Sequence, residues 1–193
     1  MLKVINCRTS IQALIVLVVV MLTGCISVPD SVKGTSPSPV QDLLSVKNAP
    51  ELFIGQEGRF GGKVLDVVNE NQRTRLEISS LPLASDASPE LNEPSLGRVY
   101  AYVNSFLEPN DFKGNYVTVV GPIMGLEKDK IGHADYSYVV INATGYQRWR
   151  AVQRVLMPYG PGSWNYYGYP YYSGWGWNWY YPDPAPVETI LTR

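Results

Sequence analysis

A mainly β fold is predicted for this chain of 193 residues: one small, strongly curved barrel of five strands behind an N-terminal tether, followed by an irregular aromatic tail. Three observations lead there. Short runs with β-type alternation recur between Gly55 and Trp149. Glycines interrupt the first of them, as a tightly bent strand requires. More than half of the aromatic residues lie outside that region, 12 of 23 falling between Tyr159 and Tyr181. The expected boundaries are a leader at 1–24, a tether at 25–54, the barrel at 55–150 and the tail at 151–193.

The leader comes first. Lys3 and Arg8 precede the apolar run ALIVLVVVML, Ala13 to Leu22. Ten apolar residues are too few for a spanning helix, which needs about 20. A basic start, a short apolar stretch and small residues at its end describe a secretory signal. Leu22-Thr23-Gly24-Cys25 is a lipobox. The Cys25 sulfur is the expected acceptor of a diacylglycerol thioether and its freed amine of an acyl chain, with cleavage between Gly24 and Cys25. Several acyl chains hold a protein stably at a bilayer, at roughly 0.8 kcal/mol per buried methylene. Ile26, where an Asp commonly retains lipoproteins in the inner membrane, favours the outer membrane of a Gram-negative cell. Removing the leader also removes Cys7, so Cys25 is the one cysteine left and no intrachain disulfide can form. The mature chain carries a formal charge of −3, which offers no footprint for nucleic acid.

Residues 26–50 hold four prolines, several serines and few large apolar side chains, the composition of a tether. A helical turn near Gln41–Lys47 is compatible with the spacing of Val40, Leu43, Leu44 and Lys47. Strand-type runs follow at Arg59–Asn69, Thr74–Ser79, Arg98–Val103, Tyr116–Met124 and Tyr136–Ala143. In the second, Leu76 and Ile78 alternate with Arg75 and Glu77; in the third, Val99, Ala101 and Val103 share a face. Pro82–Pro94 is a long loop rich in Ser, Pro and acid. Leu107–Gly114 leaves room for one helical turn between the third and fourth strands. Five strands so spaced fit a barrel of the oligonucleotide/oligosaccharide-binding (OB) type. A six-strand meander or a sandwich fragment fits the same pattern.

Other motifs in these runs resemble one family. Gly58-Arg59-Phe60-Gly61-Gly62-Lys63, Thr74-Arg75-Leu76-Glu77-Ile78 with Pro82-Leu83, Gly97-Arg98, and Phe106-Leu107-Glu108-Pro109 stand in order behind the lipobox. Val117-Thr118-Val119-Val120-Gly121, Ile131-Gly132 and Tyr136-Ser137-Tyr138 complete the set. In this order they resemble the Slp family of outer-membrane lipoproteins, from the leader to about Trp149. The chain departs from the family pattern at His133, where an acid is common, and at Val139, where a proline is. The resemblance implies an outer-membrane location and a link to starvation or stress. It brings no catalytic residues.

The residues themselves offer little chemistry. His133 is the single histidine and sits in a turn-like stretch before Asp135. One histidine without a free thiol makes no usual zinc site, and no serine is marked as a nucleophile that His133 and Asp135 could serve. The acids of Pro82–Pro94 lack calcium-loop spacing, and no glycine-rich phosphate loop occurs. No enzyme, no metal and no cofactor beyond the covalent lipid at Cys25 is expected. The segment 158–182, PYGPGSWNYYGYPYYSGWGWNWYYP, is the unusual feature; no charge occurs between Arg154 and Asp183. Gly and Pro argue against a regular helix or a central strand there. A low-complexity tail packing partly on the barrel is the plain reading. Membrane contact, stacking on glycans and self-association are the others, with Trp164, Trp175, Trp177 and Trp179 as contact residues. Expected partners are the outer membrane, through the lipid, and peptidoglycan, lipopolysaccharide or another envelope protein. A non-enzymatic envelope role leads, and an oligosaccharide-binding module is the alternative.

Overall fold

The structure is a computed structural model that describes residues 27–155, 170–173, 176–179 and 187–193. Nine strands occur among them: β1 (Glu57–Asn69), β2 (Thr74–Leu81), β3 (Gly97–Val103), β4 (Tyr116–Ile131), β5 (Ala134–Ala143), β6 (Gly145–Val155), β7 (Pro170–Ser173), β8 (Gly176–Trp179) and β9 (Val187–Thr192). Three short helices accompany them: α1 (Asp30–Lys33), α2 (Leu43–Asn48) and α3 (Pro109–Phe112), with a 3-10 turn at Pro50–Leu52.

The first five strands match the five predicted runs. They are ordered β1-β2-β3-β5-β4, and a further ladder between β1 and β4 closes them into a ring. All the ring pairings are antiparallel except β3 with β5, which is parallel. Two glycines permit the closure. A Cβ on Gly62 would stand 1.8 Å from the Ser79 carbonyl oxygen, and one on Gly121 would stand 2.1 Å from that of Asn142. Bulges at Val64/Asp66 in β1 and at Ile123/Gly125 in β4 add to the bend. The ring encloses an aliphatic core that includes Val64, Leu76, Ile78, Val99, Val119, Val139 and Ile141. Leu43 and Val46 of α2 and Phe112 of α3 join the same core. The one helical turn expected between the third and fourth strands is α3.

Three expectations are corrected. β4 runs to Ile131, seven residues beyond the predicted end, because Leu126–Ile131 pairs with Ala134–Val139 as a hairpin. Its charged sequence, Glu127-Lys128-Asp129-Lys130, hides that ladder from an apolar pattern. The expected tether does not hang free over its described part: Val32, Leu43 and Val46 are fully buried. The helical turn expected near Gln41–Lys47 is α2, and it buries Leu43 and Val46 in the ring core, while Val32 carries no periodic signal. Asp42 caps α2 by accepting from the Leu44 and Ser45 N–H groups. Nor is the tail uniformly irregular. β6 crosses the expected boundary at 150, β9 pairs with it from Arg150↔Thr192 to Val155↔Val187, and β7 pairs with β8. Aromatic residues favour strands, and ribbons with free edges tolerate the Gly and Pro that a central strand would not. Among the described residues no helix is long and apolar enough to cross a membrane.

Candidate functional site

The chain that follows the lipobox is strapped to the ring by two charged side chains of β1. Arg59 is 7% exposed. Its Nε donates to the Val32 carbonyl at 2.7 Å, and its Nη2 donates to that of Lys33. These are carbonyls that the short helix α1 leaves unpaired. Two residues along, the Glu57 carboxylate accepts from the Thr35 N–H (2.9 Å), from that of Ser36 and from the Thr35 hydroxyl. The Ser36 N–H, then that of Thr35, hold the Glu57 carboxyl below its ordinary range, with a smaller contribution from Arg59. Burial pulls the Arg59 guanidinium down and Glu57 opposes it. Farther on, Val40 forms a parallel bridge with Gly58, its N–H donating to the Glu57 carbonyl and its carbonyl accepting from the Arg59 N–H. On the other side of α1, the Ser31 hydroxyl donates to Gln147 of β6 at 2.8 Å. A cavity of about 590 Å³ lies between Ser27, Val28, Thr35 and Arg59.

The outer face of β2, β3 and β5 carries a second cluster. Alternation puts Tyr100 and Tyr102 opposite the inward Val99, Ala101 and Val103. Tyr100, Tyr102 and Tyr138 are nonetheless buried. The Tyr100 and Tyr138 rings stack with centroids 3.9 Å apart and planes within 4°. Each hydroxyl donates to an acid: Tyr100 to Asp129, Tyr102 to Glu127 (both 2.9 Å), and Tyr138 to Glu77 (3.2 Å). Arg75 lies over Tyr100 and Arg73 over Tyr102, and Arg98 pairs with Glu77. Burial is the leading cause that raises the pKa of all three tyrosine hydroxyls and so disfavours their ionisation. Their hydroxyls stay neutral donors at physiological pH. Arginines cover the Tyr100 and Tyr102 rings, and the Tyr138 ring is covered on one side by Tyr100.

The residues singled out from sequence scatter. Gly24 and Cys25 lie outside the described residues; Ser27, the first described, is two positions past Cys25. His133 occupies the exposed turn between β4 and β5. Asp135 is exposed beside it and lines a cavity of about 550 Å³ with Lys128, Asp129, Lys130, Tyr136 and Ser137. No hydrogen bond joins His133 to Asp135 among the described residues, and no cluster there could hold a metal ion. Trp177 and Trp179 lie in β8 as register partners of Tyr172 and Pro170; Trp164 and Trp175 lie outside the described residues. Sequence reasoning missed the strap and the tyrosine layer. The layer was findable: the alternation that turns Val99 and Ala101 inward turns Tyr100 and Tyr102 outward. Nothing in the sequence marks Arg59 or Glu57 as straps rather than solvated charges.

A lipobox followed at once by a short strap on an all-β ring defines a class, that of the small all-β lipoproteins. The model of the outer membrane lipoprotein Slp family matches residues 22–182, and the chain belongs to that family. Lipoprotein YeaY of Escherichia coli (strain K12) is 54% identical over 90% of this chain and 91% of its own length. Outer membrane protein Slp of the same organism is 35% identical over 83% of this chain and 90% of its own. A solved structure of Schizosaccharomyces pombe Pot1pC bound to single-stranded DNA covers 49% of this chain and 79% of that one. Its 11% identity and TM-score of 0.25 are too low to define a shared fold.

Proposed function

We propose that the protein is a lipid-anchored component of the outer membrane, S-diacylglyceryl and N-acyl modified at Cys25, with a non-enzymatic structural or interaction role linked to stress or starvation. The observation that carries this reading is the strap. The chain leaving the lipobox is fixed to the ring from Val28 onward, Val32 being fully buried. Family membership supports the same location. The ring itself is read as a small barrel of the OB type, since its closure through β1–β4 and its parallel β3–β5 pairing suit a five-stranded, partly open Greek-key barrel. The decisive experiment is Cys25→Ser. Acyl labelling should vanish and an unprocessed precursor should accumulate; continued labelling overturns the anchor.

The second reading is a module for peptidoglycan or lipopolysaccharide sugars. It is favoured by the β7–β8 hairpin, which brings Tyr171, Tyr172, Trp177 and Trp179 together at neighbouring backbone positions. Aromatic residues at such spacing suit the recognition of sugar faces. Saturable tryptophan fluorescence changes with soluble glycan fragments, lost on removing residues 158–182, support it; an unresponsive spectrum rejects it.

A further inference from the structure

Among the described residues Arg59 is the one charged side chain buried to 7% exposure or less. Its bonds to the Val32 and Lys33 carbonyls use Nε and Nη2. Nη1 donates to no described group, yet every completely buried side-chain nitrogen or oxygen among the described residues has a partner. Nη1 therefore reaches open space, and the open space that Arg59 borders is the cavity of about 590 Å³ beside α1. No ion pair among the described residues includes Arg59. Glu57 bears on its charge from farther away and gives its oxygens to Thr35 and Ser36. A buried guanidinium held by carbonyls alone keeps a charge to be answered.

Two neighbours in the cavity add to that demand. Lys33 and Ser36 both line it. Lys33 forms no ion pair among the described residues. The Ser36 hydroxyl oxygen accepts from the Ser38 N–H, and its own hydrogen goes to no described group. Asp30 is the one acid among the lining residues, so Arg59 and Lys33 leave a positive surplus. A guanidinium, an ammonium and a hydroxyl are separate donors that do not share a plane. A carboxylate offers two coplanar oxygens; a phosphate ester offers a tetrahedral set, which suits such donors better. The volume lies within the range of small-molecule sites, about 300–1,000 Å³, and leaves room for more than a bare ion.

We propose that Arg59, with Lys33 and Ser36, forms a binding site in this cavity for the phosphate group of an organic phosphate ester. The site depends neither on the lipid at Cys25 nor on the β7–β8 hairpin. Because the same guanidinium holds the Val32 and Lys33 carbonyls, the ligand and the strap share one side chain, and occupancy stiffens the chain over α1.

The test uses the intact lipoprotein in nonionic micelles and phosphate-free buffer, titrated with glycerol 3-phosphate in a calorimeter. Saturable binding is expected, weakened about tenfold or more by Arg59→Met and several-fold by Lys33→Gln and by Ser36→Ala. Arg59→Met also loosens the strap, so the other two variants decide: each should keep the unfolding temperature of the unaltered protein while losing affinity. No saturable binding, or full affinity in both Lys33→Gln and Ser36→Ala, overturns the site. Acetate bound as tightly as glycerol 3-phosphate overturns the assignment to phosphate. A second titration adds phosphatidylglycerol to the micelles and names the source. Unchanged affinity for glycerol 3-phosphate upholds the site as one for a soluble ester; competition that Lys33→Gln relieves upholds it as one for a phospholipid headgroup.

Discussion

The two faces of the wall formed by β2, β3 and β5 are built on different physics. Inward, Leu76, Ile78, Val99, Ala101, Val139 and Ile141 are aliphatic and completely buried. Outward, Tyr100, Tyr102 and Tyr138 are nearly as buried, but every hydroxyl has an acid and two of the rings have an arginine over them. Burial on the inner face is non-directional and tolerates changes that keep volume. Burial on the outer face depends on paired groups, because an orphaned buried donor or acceptor costs about 1–3 kcal/mol. One backbone alternation therefore yields a face that reads volume and a face that reads chemistry.

The largest effect separating them is expected on the inner face. Ile141→Ala should cost about 2–5 kcal/mol in urea unfolding, whereas a loss well under 1 kcal/mol would mean that the ring interior is loosely packed. On the outer face Tyr138→Phe keeps the stacked ring and removes one hydroxyl, so a smaller loss of about 0.5–1.5 kcal/mol is expected. A cost equal to that of Ile141→Ala would erase the distinction. Smaller again, Arg98→Met should cost less than about 1 kcal/mol, since its pair with Glu77 is partly exposed; that cost should shrink in high salt, while the inner-face effect should not. The smallest lies outside both faces. Glu57 has its folded pKa depressed by the strap N–H groups, so its contribution is complete above the ordinary carboxylate range of about 4.3 and is lost as pH falls through the lower folded value. Glu57→Gln should flatten that acid limb of the stability profile, and an unchanged limb would place the acid sensitivity elsewhere.

How much of this was legible depended on how each residue is used. The five ring strands were readable because their apolar residues recur with period two over four or more positions. The hairpin end of β4 was not, since Glu127 and Asp129 serve tyrosines of β3, across β5, and look like solvated charge. Val32 was hidden for the opposite reason: a single apolar residue between Ser31 and Lys33 carries no period, yet it is fully buried. Arg59 is buried by carbonyls of a four-residue helix, which no pattern of side chains announces. The lipobox is a local motif and can be read from sequence; what the ring does with the chain after it cannot, because that is settled by long-range contacts.

The strap also sets how the molecule bears load. A pull on the chain at Ser27 does not reach the ring through one hydrogen bond. It passes to β6 through Ser31 and to β1 through Arg59, Glu57 and the Val40 bridge. The Val40 bridge runs alongside β1, so its two bonds share tension in shear rather than opening one after the other like a zipper. Traction on the chain at Ser27, whose carbonyl accepts from Arg193, would be spread over two strands of a hydrogen-bonded sheet before the ring is asked to open.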